Sequence, residues 1–322
     1  MSEDLPSEIL LSILIVNFNG KDFLGPCLDS IRKHVTVPYE IIVVDNASGD
    51  GSVDYLRQNY LTVRVVASHV NLGFTGGNNL AAKEAKGRYL LLMNSDTIIC
   101  SKVDPLVDLM ESKTEIGVLG CCLIYGDGRQ QESVGYIPTA LSLVFSWTPL
   151  ARLFPQSAKF RSTVRADSAL YGQTYSEVEW VSGAFLLTRT DLWRRMDGLD
   201  EHYFMYMEDT DYCRRVRDAG NKVAYSAACK VIHFEGAGRS WIGEQAVLNS
   251  TNSYLVYVRK FHGIVAVLVL RMLLSQVFIA RSLAHFMTYI LGMDSNGYEK
   301  SNAYRRAALR LLLGGPHEKN RH

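Results

Sequence analysis

The chain has 322 residues, 48% of them apolar and 21% charged, with a formal net charge of +1. This composition excludes a largely disordered chain and leaves room for one large domain with an appendage. The near-neutral total hides an asymmetry: residues 259–322 carry +7 and the first 258 carry −6, so an acidic body precedes a basic segment suited to an anionic surface.

Ile9–Phe18 is an almost unbroken apolar run, as expected for a parallel strand covered on both faces. Lys21–His34 follows with helical spacing, placing Phe23, Leu24, Cys27, Leu28 and Ile31 on one face. Tyr39–Val44 reads as a second strand, residues 46–51 as a turn cluster, Ser52–Asn59 as a short helix and Val63–Ala67 as a third strand. Asn71–Asn79 (NLGFTGGNN) is a glycine-rich loop opening a helix that reaches Ala85, and Tyr89–Met93 is a fourth strand. The order predicts a doubly wound, mostly parallel α/β sheet.

Residues 102–113 predict a helix and Gly117–Ile124 a strand, and about 126–176 reads as an irregular insertion with Pro138, Pro149 and Pro155. Strand character resumes at Glu179–Thr188. Asp209–Gly220 predicts a helix with Asp209 as N-cap and Gly220 as stop, before short strands at Val223–Ser226 and Lys230–His233. Gly263–Leu291 is strongly apolar but interrupted by Arg271 and Arg281, which leaves uncharged stretches too short for an ordinary membrane span. Arg271, Ser275, Ser282 and His285 fall on one helical stripe. That pattern suits amphipathic helices lying in a membrane interface, with the Lys300, Arg305, Arg306 and Arg310 tail against anionic lipid, or else a pair of core-packing or homo-oligomer helices.

The six cysteines (Cys27, Cys100, Cys121, Cys122, Cys213, Cys229) form no CxxC pair, which points to a reduced, cytoplasmic compartment. The N-terminal MSEDLPSEILL lacks a basic region, so a cleaved signal peptide is not expected.

Ligands of parallel sheets bind at the carboxyl ends of the strands. Asp45 ends one such strand, where its carboxylate can accept from a base N–H or ribose hydroxyls, or simply cap the turn to Ser48. Asn94-Ser95-Asp96 directly follows another. A hard divalent cation takes oxygen ligands there and bridges to phosphates, so Asp96 suits a metal and neutral Asn94 a ribose or sugar hydroxyl, although a plain turn explains the triplet as well. The 71–79 loop can bring backbone N–H groups to phosphates, yet it is neither a Walker loop nor a dinucleotide fingerprint, and a flexible loop with a helix cap remains open. Glu208-Asp209-Thr210-Asp211 opens a helix, where acids either complement the dipole or supply a general base. Asp211 and Arg215, at i and i+4, read as a structural pair. His233 alone reads as a structural histidine. Basic residues concentrated in an apolar tail argue against a nucleic-acid role.

In order, SILIVNFNG, IIVVDNASGDGS, NLGFTGGNN, LLLMNSD, VSGAFLLTR, YFMYMEDTDYCRRVRDAG and VIHFEGAGRS resemble glycosyltransferase family 2, with the GT-A fold, over roughly residues 10–245. Within that family the chain looks like the rhamnosyltransferase-like branch, which builds bacterial cell-surface polysaccharides. The resemblance implies a nucleotide-sugar half at about 9–125, an acceptor half at about 126–258, and C-terminal helices over 259–322. It implies that Asp45 holds the base, with Asn17 and Asn19 nearby and Asn71 and Gly76 contributed by the glycine-rich loop. Asp96 would match the last acid of the DXD motif and bind Mg²⁺ or Mn²⁺, with His233 as a further ligand. The chain carries Asn94 where a strict DXD has Asp. Asp209 would be the base, Glu208 would orient it or the acceptor, and Trp180, Ser182 and Gly183 would line the sugars. The implied reaction is an inverting displacement, moving rhamnose from dTDP-rhamnose to a lipid-linked glycan at the cytoplasmic face of the inner membrane. The rival readings are a UDP-hexose donor and a non-catalytic, membrane-docked subunit that binds nucleotide-sugar. A sugar-phosphate nucleotidyltransferase would want a basic glycine-rich loop after the first strand, which NFNGKDF does not supply.

Overall fold

The structure, a computed structural model, describes residues 8–154, 157, 159–162, 169–234 and 243–313. The EGAGRS part of the last motif and residues 314–322 of the tail lie outside them.

The first half alternates strand and helix as the apolar runs predict: β1 (Leu11–Asn17), α1 (Lys21–His34), β2 (Tyr39–Asn46), α2 (Ser52–Asn59), β3 (Arg64–Ser68), α3 (Gly73–Glu84) and β4 (Tyr89–Asn94). The strands lie parallel in the order β3-β2-β1-β4. Alternate residues of β1 enter different layers: Ile13 and Ile15 pack with Leu24, Leu28 and Ile31 of α1, whereas Leu14 packs with Ala81 of α3. Each side chain of this size buried fully stabilises the fold by roughly 1.5–3 kcal/mol relative to exposure, which is why the runs read as strands covered twice. Register sets Asn17 beside Asp45 and Val16 beside Asn94, so the polar residues collect at one edge of the sheet.

The chain continues through β5 (Thr97–Ile99), α4 (Asp104–Ser112), β6 (Ile116–Ile124), β7 (Val134–Gly135), α5 (Ala140–Phe145), α6 (Leu150–Leu153), β8 (Ser176–Val178), β9 (Trp180–Val181), β10 (Phe185–Arg189), α7 (Thr190–Arg195), α8 (Glu208–Asp218) and β11 (Lys222–His233). The sheet extends as β4-β10-β6-β11-β5, with β10 antiparallel to both neighbours and β8 paired to β11. The single strand expected over Glu179–Thr188 is broken at Ser182-Gly183-Ala184, which frees two residues to face the site. The two strands expected at Val223–Ser226 and Lys230–His233 are one, with a register shift between Ser226 and Lys230. That shift lets β11 finish against β5, with His233 opposite Thr97.

The last elements are α9 (Gly243–Ile290), broken by a left-handed residue at Gly263 (φ 79°), and α10 (Gly297–Leu313). α9 crosses the expected 258/259 boundary without interruption and breaks at Gly263 instead. By length and composition it is long and apolar enough to cross a bilayer, which the sequence reading did not expect. The polar stripe takes the second of its two readings and packs against other helices. Arg271 Nε donates to the Leu311 carbonyl at 2.6 Å, Ser282 Oγ to the Ser301 carbonyl at 2.9 Å, and His285 stacks on Tyr304. Arg281 reaches the Trp147 carbonyl and the Tyr304 hydroxyl. The stripe therefore forms the seam with α10 and α5, while Val265, Leu268, Met272, Leu283 and Leu291 face outward, each more than half exposed. Of the basic tail, Lys300 pairs with Asp294 and Arg306 with Glu244, whereas Arg305 and Arg310 stay exposed.

Candidate active site

At the ends of β1 and β2 a polar knot replaces the apolar alternation. Asp45, 2% exposed, accepts from Asn17 Nδ2 at 3.1 Å through one oxygen and from the Ser48 N–H at 3.0 Å through the other. The capping reading of Asp45 is thus realised in the structure. Asn19 takes a left-handed backbone (φ 52°), donates its N–H to Ser48 Oγ at 2.9 Å and accepts from the Gly49 N–H at 2.8 Å. Ala47 is also left-handed (φ 64°), so strain gathers at this strand end. The buried Asn17 Oδ1 has no partner, which leaves one polar atom in the knot unused.

The glycine-rich stretch folds as the opening of a helix, the alternative to a phosphate loop that the sequence leaves open. α3 begins at Gly73, so Gly76 and Gly77 lie inside a helix. A Cβ on Gly77 would stand 2.7 Å from Val16 Cγ1, and one on Gly76 would stand 2.9 Å from Leu72 Cβ, so close packing sets both residues. The amides at the helix start are already partnered: Leu72 N–H donates to Asn46 Oδ1, Gly73 N–H to Asn71 Oδ1 and Phe74 N–H to the Phe204 carbonyl, all at 2.9 Å. The N-cap is Leu72, and Asn71 just before it takes up the Gly73 amide from outside the helix. Asn46, which the sequence reading left in a turn, organises this corner by also donating to Asn71 Oδ1.

Asp96 and His233 do meet. The β5–β11 pairing brings them together, and the Phe234 N–H closes the corner on the Asp96 carbonyl at 3.0 Å. His233 Nε2 lies 3.4 Å from Asp96 Oδ1 and 3.1 Å from Asn94 Nδ2, while Nδ1 lies 3.0 Å from Gln131 Oε1. With an amide N–H facing Nε2 and an amide oxygen facing Nδ1, a neutral ring here carries its proton on Nδ1. The Nε2 lone pair is then directed toward the Asn94–Asp96 side. This is how metal-ligating histidines are held, the second ring nitrogen donating to an oxygen. Gln131 comes from the stretch read as an irregular insertion, and nothing in the sequence marked it. Among the described residues no cluster of three or more His, Cys, Asp or Glu is suited to a metal. The pair fits a divalent cation whose other ligands are phosphate and water oxygens.

The acid pair opens α8. The N-cap is Met207, with φ 70°, so Asp209 is the second helical residue and not the cap expected. Tyr206 before it has φ 72°, and two successive left-handed side-chain-bearing residues cost about 1–2 kcal/mol each. Asp209 Oδ2 accepts from the Gly183 N–H at 2.9 Å, and Oδ1 from the Thr210 N–H at 2.6 Å. Burial raises the Asp209 carboxyl above the ordinary range against these donors, so the helix terminus does not keep it as acidic as expected. Glu208 is raised much further, first by burial and then by the Asp209 charge, and its Oε2 has no partner. Asp209 remains half-buried, whereas Glu208 is closed off.

Ser182 and Gly183 sit at the break between β9 and β10. Gly183 donates to Asp209, and the adjacent Ala184 carbonyl accepts from the Asn94 N–H at 3.2 Å. Two neighbouring residues thereby tie the acid pair to the end of β4. Trp180 does not join them: it is 8% exposed, packs in the core, and donates its indole N–H to the Tyr136 and Ser162 carbonyls at 3.1 and 2.9 Å. The Asp211–Arg215 pair forms as expected, at 2.6 Å, with Lys260 as an unexpected third member.

Residues 12–165 match the family model for glycosyl transferase family 2. That segment, just under half of the chain, is of the glycosyl transferase family 2 kind. This glycosyltransferase is 26% identical over 238 residues to the N-acetylglucosaminyl-diphospho-decaprenol L-rhamnosyltransferase of Mycobacterium tuberculosis, a match covering 70% of this chain and 76% of that one. It is 27% identical over 237 residues to rhamnosyltransferase WbbL of Escherichia coli, covering 70% and 83%. A poly(ribitol-phosphate) beta-glucosyltransferase of Bacillus spizizenii is 42% identical over 99 residues, covering 29% of this chain and 16% of the relative. The GT-A fold is shared with GalNAc-T7 bound to UDP, GalNAc and Mn²⁺ (TM-score 0.58, 14% identity, covering 96% of this chain and 57% of the other). It is also shared with mannosyltransferase PcManGT of Pyrobaculum calidifontis bound to GDP-Man and Mn²⁺ (TM-score 0.56, 12% identity, covering 97% and 89%).

Proposed function

We propose that this glycosyltransferase transfers rhamnose, with inversion, from dTDP-rhamnose to a hydroxyl of a lipid-linked or cell-surface glycan. The work is done at the cytoplasmic face of a membrane. The observation that carries the reading is the junction at Gly183 and Ala184, which fixes the half-buried Asp209 carboxylate beside the Asn94–Asp96 end of β4. The rhamnosyltransferase relatives support the donor, and the decaprenol-linked substrate named for one of them supports the acceptor class.

Asp45 and Asn17 shape the pocket for the nucleotide, with Asn19 and Ser48 holding its floor. Asn71 acts indirectly by holding the Gly73 amide at the start of α3. Asp96 and His233 would hold Mg²⁺ or Mn²⁺, which when bound neutralises diphosphate charge. Asp209 takes the proton of the acceptor hydroxyl as its oxygen bonds to the anomeric carbon and the bond to the nucleoside diphosphate breaks. Its raised carboxyl makes it a better proton acceptor than an ordinary aspartate, provided it is ionised. Burial, and then the Asp209 charge, pushes the Glu208 carboxyl well up, which favours its neutral form beside Asp209.

A UDP-glucose donor is the second reading, favoured by the 42% identity to a glucosyltransferase over part of the chain. Calorimetry with dTDP-rhamnose, UDP-glucose, UDP-galactose, UDP-N-acetylglucosamine and GDP-mannose, each with and without Mn²⁺, separates the two. We expect Mn²⁺-dependent binding of dTDP-rhamnose, weakened at least about tenfold in Asp96→Ala. Tight binding of a UDP-sugar alone would replace the donor, and binding without turnover on any glycan acceptor would favour a non-catalytic subunit.

A further inference from the structure

The segment from Asp200 to Asp211 carries the acid pair and includes the two left-handed residues Tyr206 and Met207. A backbone of this kind persists only when its surroundings over-determine it. Three elements hold it. α3 takes the Phe204 carbonyl through the Phe74 N–H. α8 takes the Met207 carbonyl through the Asp211 N–H at 2.8 Å. α9 takes the Met205 carbonyl through Ser253 Oγ at 2.9 Å.

The fourth contact closes the segment on itself. Lys260 Nζ lies 2.6 Å from Asp200 Oδ2 and 2.7 Å from Asp211 Oδ1, so one ammonium from α9 joins both ends. Asp211 is fully buried and also receives Arg215 Nε and the Tyr203 hydroxyl. A buried carboxylate needs such partners, and losing one leaves charge uncompensated. Asp200, despite burial, is drawn down to about 2 by hydrogen bonds from Lys260 and His202. On the next turn Arg214 lies over Phe261, 4.0 Å from the ring centroid, and donates to the Tyr257 hydroxyl, so the outer face of α8 rests on the same arm of α9. Tyr203 and Met207 belong to the apolar cluster that α9 and α10 build.

We propose that Lys260 is a positioning residue of the transfer reaction: by bridging Asp200 and Asp211 it closes the 200–211 segment and fixes Asp209 relative to the acceptor hydroxyl. The proposal rests on Asp209 being the base. Lys260 does not touch the reacting atoms, and its effect passes through the loop and α8.

The test uses the full chain carrying Lys260→Met or Lys260→Arg. Amide hydrogen exchange over residues 203–210 should quicken about tenfold in Lys260→Met while exchange in β1 stays unchanged. The kcat for transfer from dTDP-rhamnose should fall about 10²-fold, as misplacing a reacting group does, with the donor KM within about twofold. Lys260→Arg should restore most of both. If Lys260→Met does not fold, Lys260→Gln carries the same two measurements. Unchanged exchange with unchanged kcat overturns the proposal, and so does a loss that appears wholly in donor KM. If the wild-type chain turns over none of the donors, the transferase reading fails, and the exchange rates still decide whether Lys260 closes the loop.

Discussion

Asp209 and Glu208 are adjacent in sequence and differ in environment. Glu208 is closed in with an unpartnered oxygen, whereas Asp209 keeps an open edge and two backbone donors. Asp209→Asn preserves shape and removes the proton acceptor. It should leave donor binding within about twofold by calorimetry and lower kcat by about 10²–10⁴, the usual contribution of a general base. Substantial residual turnover would move the base elsewhere. The wild-type rate should fall as pH drops through the folded carboxyl's raised value, so the acidic limb of kcat lies above where an unperturbed aspartate would put it. The native state holds this proton more tightly than the unfolded chain does, so on this group alone stability rises as pH falls. Asp45, Asp96 and Asp209 were legible because carboxylates at strand and helix ends stand out from apolar runs. Gln131, Asn46 and Lys260 were not. Gln131 meets His233 only through the folded sheet, 102 residues away in sequence, Asn46 sits in a cluster any turn could use, and Lys260 comes from a helix beyond the expected 258/259 boundary.

The first four strands and three helices follow their apolar periodicity closely, since a strand covered on both faces has one way to bury its side chains. α3 is the exception with a clear cause. Its glycines suggested a loop, yet they thin the helix where it crosses β1 and where its start meets the 200–211 segment. Gly73 has φ 72° and faces the Phe204 carbonyl, whose oxygen binds the Phe74 N–H. Gly73→Ala should therefore destabilise the fold by about 2 kcal/mol or more, combining a left-handed alanine with overpacking, as read from the urea midpoint. A shift under half a kilocalorie would show that the contact relaxes freely. The broken strand at Ser182-Gly183-Ala184 could not be anticipated from composition, because WVSGAFLLT is apolar on both sides of the break.

Taken whole, the molecule joins a conventional catalytic body to a helical hairpin whose polar groups face inward. The stripe of Arg271, Ser275, Ser282 and His285 is real and takes the helix-packing alternative of its two readings, because periodicity gives a face and does not say what covers it. Here α10 covers it, and the outer surface of α9 is apolar, with Val265, Leu268, Met272 and Leu283 each more than half exposed. Replacing Leu268 and Leu283 with Glu should abolish flotation with anionic vesicles while leaving the melting midpoint within about 0.5 kcal/mol equivalent, since both side chains touch mainly solvent. Flotation unchanged by the double variant would assign that face to another copy of the chain or another partner.

α9 breaks at Gly263, three residues beyond Lys260, so a short arm gripped by the catalytic body meets a long arm bearing the apolar face. Such a rod has its fulcrum at residue 263. On the proposed membrane reading, the seating of the long arm on a bilayer would bear on Asp200 and Asp211 through the short arm and Lys260, and so reach an acid pair that lipid would not touch.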